Sequence, residues 1–182
     1  MSSEHMRRIG WLISAALLLC AGEASALDET YEDLSASVEV APVFSFSLDR
    51  PLLSFGLIGP NATAILGEGH FFNAVTCRSN SGRPWYLKAQ LLSLKHLDSG
   101  FVLPPNSLKW KVVGSTSSAQ PVGNPGTFQP LAADAVLIYI GQGDDLKGQE
   151  VVLRFQYSLT TPPEAPAGNY VGELIFTMAE SP

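Results

Sequence analysis

Cysteine is scarce. The chain holds two, Cys20 and Cys77, too few for a disulfide-stapled scaffold. Charge is also low: 11 basic and 17 acidic residues make up 15% of the 182, with a net charge of −6. The charges are spread out and nothing clusters into the cationic footprint that nucleic acid needs, so nucleic-acid binding is excluded as a working reading. Long apolar runs are missing from the body, where the longest, residues 135–140, is a strand's length and well short of the ~20 residues of a membrane-spanning helix. No stretch of ten or more residues combines helical spacing with caps, and no internal repeat is evident.

What is present begins with a leader. Arg7 and Arg8 form a basic start, residues 9–20 are apolar, and Ala24-Ser25-Ala26 is the small-x-small pattern that a signal peptidase accepts. The expectation is a signal peptide over 1–26, cleaved after Ala26, and a product secreted to the periplasm or cell surface with no membrane attachment after cleavage. Leu17-Leu18-Leu19-Cys20 offers a lipoprotein box as an alternative, with Leu19 where such a box has a small residue. Cleavage leaves Cys77 as the single cysteine, which precludes an internal disulfide. Cys77 then reads as a small buried hydrophobe or as a thiol open to an intermolecular bridge.

After an acidic, unpatterned segment over 27–34, the chain alternates like strands. Val38, Val40, Phe44, Phe46 and Leu48 share one parity, interrupted at Pro42, which has no amide hydrogen for a ladder. Residues 52–57 and 71–77 are short apolar runs, and Ser79-Asn80-Ser81-Gly82 is a turn cluster. Trp85, Leu87, Ala89 and Leu91 alternate with polar residues, as do Leu108, Trp110 and Val112, and then Leu153, Phe155, Tyr157 and Leu159. Tyr170, Leu174, Phe176 and Met178 form a last alternating set, and residues 136–140 read as a strand buried on both faces. About eight strands joined by turns rich in Gly and Pro predict an all-β, antiparallel sandwich as a single domain over 35–182. Residues 114–130 form the longest unpatterned loop.

The chemistry of the side chains points away from catalysis. There is no Gly-x-Ser-x-Gly motif, and His70 and His96 lack a hydrolase context. Glu68 with His70, and His96 with Asp98, sit at the i, i+2 spacing that shares a strand face, but nothing in the sequence unites the two pairs into a metal site. No cofactor, catalytic or metal site is therefore expected. Gly141-Gln142-Gly143-Asp144-Asp145 resembles one copy of a calcium-binding repeat and reads better as a hairpin turn. Asn61-Ala62-Thr63 matches a glycosylation acceptor. Trp85 and Trp110 read either as core residues or, if their rings are exposed, as a stacking platform for a glycan.

Leu53-Ser54-Phe55-Gly56, Val75-Thr76-Cys77 followed by Trp85-Tyr86-Leu87, and Ala167-Gly168-Asn169-Tyr170 opening the last strand give a layout that resembles secreted bacterial fimbrial subunits of the spore-coat-U-like pilin type. The resemblance implies an Ig-like sandwich that lacks one strand and receives it from a neighbour's N-terminal segment. It also implies partners, namely copies of itself or related subunits and a periplasmic chaperone that holds the groove before assembly. Mapped here, Val38, Val40, Phe44, Phe46 and Leu48 form the candidate donor, which could equally pair within its own chain. Those subunits pair a cysteine near the first strand with one like Cys77, where this chain has Phe44 and Phe46. A second resemblance, through Trp85-Tyr86-Leu87 and the Trp110 strand, is to WxL domains attached to cell walls. The expected role is an exported, non-enzymatic structural or adhesive surface protein, with a secreted carbohydrate-binding module as the alternative.

Overall fold

The computed structural model describes residues 37–123 and 126–182. The chain divides into two units, Met1–Glu39 and Val40–Pro182. The leader expected over 1–26 and the acidic segment over 27–34 lie outside the described residues. In the first unit Ser37, Val38 and Glu39 belong to no regular element and are exposed.

The second unit is nearly all β. Its strands among the described residues are β1 (Phe44–Leu48), β2 (Thr63–Leu66), β3 (Asn73–Ser79), β4 (Trp85–His96), β5 (Leu108–Ser115), β6 (Gln129–Pro130), β7 (Val136–Gly141), β8 (Glu150–Thr160) and β9 (Tyr170–Ala179). The larger sheet runs β1-β3-β8-β5-β6, with β2 also on β8, and the smaller one runs β7-β4-β9. Every pairing is antiparallel. This is the all-β sandwich that the alternation predicts.

The registers show why alternation suffices. Residues opposite one another in an antiparallel pair share a face. Val151, Leu153 and Phe155 of β8 lie opposite Cys77, Val75 and Asn73 of β3, while Phe155, Tyr157 and Leu159 lie opposite Val112, Trp110 and Leu108 of β5. All of these are buried, which gives one continuous inner face. The smaller sheet answers with Leu87, Ala89 and Leu91 of β4 opposite Met178, Phe176 and Leu174 of β9. The layers meet edge to face at Phe155 and Phe176, with ring centroids 5.6 Å apart.

One local reading gains detail and one is corrected. A register shift in the β4–β7 pair, between Leu87 and Lys88, places Tyr139 opposite Leu87 and Gly141 opposite Trp85. A one-residue slip moves side chains to the other face, so Tyr139 faces inward and Ile140 does not. Ile138 is buried as well, so β7 does bury adjacent residues. Second, residues 141–145 do not close a hairpin. A 3-10 helix, Gly143–Leu146, carries the chain from β7 in one sheet to β8 in the other. Its Asp145 is buried and accepts the Tyr139 hydroxyl at 2.7 Å, and its carbonyl takes the Trp85 ring N–H at 3.4 Å.

Gly141 makes this end of the sandwich possible, because a Cβ there would lie inside the Trp85 ring. Gly141→Ala should therefore lower unfolding free energy by roughly 1–3 kcal/mol, the cost of overpacking a filled core, as read by chemical denaturation. An unchanged midpoint would show that Trp85 can move aside.

Candidate functional site

Among the described residues, the inner face of the larger sheet is part-exposed at β1. Phe44, Phe46 and Leu48 of β1 lie opposite Ser79, Cys77 and Val75 of β3, so their side chains sit on the inner face. Their neighbours are sealed, yet these three are 44%, 41% and 36% exposed. β1 is the outermost strand of the larger sheet, and β9, the matching edge of the smaller one, has no strand beyond it among the described residues. Leu48 of β1 and Leu174 and Phe176 of β9 line the same small cavity. The result is an open seam with Leu48 on one wall and Leu174 and Phe176 on the other.

Hydrogen bonds to the rest of the chain fix both ends of β1. Asn80 accepts the Val43 N–H at 2.6 Å, gives its side-chain N–H to the Ala41 carbonyl at 3.0 Å, and donates its backbone N–H to the Val43 carbonyl at 3.1 Å. At the other end Asp49 and Ala74 exchange two bonds: the Ala74 N–H goes to the Asp49 carboxylate at 2.8 Å and the Asp49 N–H to the Ala74 carbonyl at 3.2 Å. The candidate donor from Val38 to Leu48 is thereby divided. Phe44, Phe46 and Leu48 belong to the chain's own sheet and line a groove, because Asn80 and β3 hold their backbone. Val38 and Val40 lie outside any strand and are 87% and 74% exposed.

Trp85 and Trp110 are 0% and 3% exposed. Trp85 packs on Tyr139 and Trp110 on Phe155, with centroids 5.4 and 6.1 Å apart. Neither ring offers a face to a sugar, so the stacking alternative, which requires exposed rings, is corrected to the core reading.

The two halves of the notional metal set stay apart. His70 is exposed, whereas His96 is buried with both ring nitrogens engaged. Its Nδ1 accepts the Ser99 N–H at 2.9 Å, which leaves Nε2 to donate to the Ala167 carbonyl at 3.0 Å. Among the described residues no three His, Cys, Asp or Glu side chains could hold a metal ion. Residues 112–115, 117 and 119–121 with Gly126 wall a separate open cavity of about 460 Å³ that presents no charged group. No described helix is long and apolar enough to cross a membrane.

Compared with known proteins, the chain matches no family model and no curated sequence.

Two ionisable side chains of the inner face, Cys77 and Tyr157, are fully buried. Burial pushes the Cys77 thiol up to about 12 and the Tyr157 hydroxyl above its ordinary range, because low dielectric disfavours the charged form. Cys77 is therefore a neutral thiol at physiological pH, and an alkylating reagent should label it only in denaturant; native labelling at the denatured rate would refute its burial. The folded state holds this proton more tightly than the unfolded one, whose thiol titrates near 9.0. The Cys77 contribution is thus fully present below about pH 9 and is lost as pH rises toward 12. Denaturation midpoints above pH 9 should fall less steeply in Cys77→Ala than in the parent.

Proposed function

We propose that the chain is an exported structural subunit of a cell-surface assembly and joins its neighbours by strand addition into the seam between β1 and β9. One observation carries this reading: an inner face whose Phe44, Phe46 and Leu48 are uncovered beside a β9 edge with no strand partner among the described residues. Apolar side chains exposed next to free backbone groups are the surface to which an extended segment adds, with main-chain hydrogen bonds giving affinity and alternate side chains giving specificity.

The occupant is the N-terminal segment of a second copy. Leu34, Ala36, Val38 and Val40 share one parity and alternate with Ser35, Ser37 and Glu39. As a strand these seven residues present one apolar and one polar row over about 23 Å, long enough to lie along β9 from Leu174 past Met178. Asn80 holds the chain's own backbone at Ala41 and Val43, just ahead of β1. A periplasmic chaperone, the other partner that the resemblance implies, would hold the same seam before assembly.

The test compares the mature chain from Leu27 with one beginning at Val40, the first residue of the second compact unit. The longer chain should show a molar mass by light scattering that rises with concentration. The shorter chain should stay folded and monomeric, and a peptide of residues 27–43 should raise its melting temperature. A longer chain that remains monomeric at every concentration would sink the proposal.

A further inference from the structure

A second opening lies on the side of the sandwich away from β1 and β9, where β6 is the outermost strand of the larger sheet and β7 that of the smaller one. β6 pairs with β5 only at Lys109 and Trp110, so from Lys111 to Ser115 this edge of β5 has no strand partner among the described residues. The chain then returns beside it. Ser115 Oγ accepts the Ser117 N–H at 3.1 Å, Ser117 Oγ accepts the Ala119 N–H at 3.0 Å, and the Val122 N–H reaches the Ile138 carbonyl of β7 at 2.8 Å. β5 and this returning segment together wall the open cavity of about 460 Å³.

A bulge shapes the cavity. Val112 lies opposite Phe155 and Gly114 opposite Arg154, so Val113 is the extra residue of β5. Bulges re-aim a side chain and recur beside functional sites; here Val113, 41% exposed, lines the cavity. Ala119 and Pro121 add apolar surface, and Ser115 and Gln120 add polar groups. The Ser115 oxygen serves the Ser117 N–H and its hydroxyl hydrogen remains to donate, while the exposed Gln120 has an amide that both donates and accepts. No lining residue carries a charge.

We propose that this cavity is a saccharide-binding site and that it takes an uncharged mono- or disaccharide unit. Its volume falls within the roughly 300–1,000 Å³ of sites that enclose small molecules, which combine apolar lining with a few placed polar groups. A pyranose presents the matching mixture, C–H groups on its faces and hydroxyls around its rim that each donate and accept. A charged ligand would give up hydration with no opposite charge to replace it. A long added strand is disfavoured, because β6 ends the free edge of β5 at Trp110 and the returning segment walls it. The site shares no lining residue with the seam and does not depend on strand addition.

The test uses the full mature chain and reads NMR saturation transfer from protein to saccharide, a measurement that tolerates self-association. The uncharged probes are maltose, lactose and N,N′-diacetylchitobiose, and the charged ones are glucosamine and glucuronic acid. At least one uncharged disaccharide should show saturable transfer and should bind more tightly than either charged probe. Gln120→Ala should weaken it roughly tenfold, and Gln120 is exposed, so the core is undisturbed. Gln120→Glu should weaken it as well and at the same time strengthen glucosamine binding, a reversal that a merely structural role for Gln120 would not produce. No saturable transfer from any of the three disaccharides at concentrations on the order of 10 mM would overturn the inference. Equal transfer in the parent and both Gln120 variants would overturn it too, by placing the sugar elsewhere, as would charged probes that bind as tightly as the uncharged ones.

Discussion

β8 is paired on both edges, and the rest of the sandwich is arranged around that pairing. β3 and β2 follow one another along one edge and β5 runs along the other. The inner residues from Val151 to Leu159 are buried, and on the outer face Gln156 and Ser158 are buried too. A strand so enclosed demands a wide apolar face in front of it, and β7, β4 and β9 must supply that cover. Three strands cannot span the face that β1, β3, β8 and β5 present. The shortfall could have fallen anywhere along the sheet. It falls at β1, whose Phe44, Phe46 and Leu48 stay part-exposed, while Phe176 of β9 packs on Phe155 of β8.

Buried polar side chains elsewhere are spent on closing loops. The amide of Gln156 holds the carbonyls of Gly67 and His70, at the turn between β2 and β3. The hydroxyl of Thr161 donates to the Gly59 carbonyl at 2.6 Å, tying down the chain ahead of β2. His96 joins the turn after β4 to the segment ahead of β9, where a Cβ on Gly168 would collide with the imidazole. Each bond satisfies a buried group that would otherwise cost about 1–3 kcal/mol, and each fixes a loop end. With the loop ends fixed in this way, β1 remains part-exposed among the described residues.

Much of this fold was legible because most strands bury one face. β4, β5, β8 and β9 alternate cleanly, and their inward residues are those the pattern names. β2 escaped notice because Thr63-Ala64-Ile65-Leu66 is four residues long without alternation, and β6 is only two. The parity of β7 was hidden by a bulge, which leaves no trace in residue order. The seam was legible in half. The apolar row of Phe44, Phe46 and Leu48 stands out, but whether such a row fills a groove or lines one depends on which backbone it pairs with, and that is decided by Asn80, 37 residues from Val43.

An apolar row beside an unpaired edge invites indiscriminate pairing, and sheet proteins usually discourage it with charge, proline or bulges. β1, Phe-Ser-Phe-Ser-Leu, carries no charge. Its protection is length: Pro42 lies just before it and Pro51 shortly after, neither can donate to a ladder, and the edge between them offers five strand residues. A short, bounded edge gives little binding energy from the backbone alone, so a segment that merely has strand propensity gains little by adding there. The side chains must supply the remainder, and they can do so only in a register that places aliphatic groups over Phe44, Phe46 and Leu48. On the β1 edge, shortness limits what main-chain hydrogen bonds can contribute and leaves the rest to side-chain fit, whereas β9 presents a ten-residue edge with no such limit.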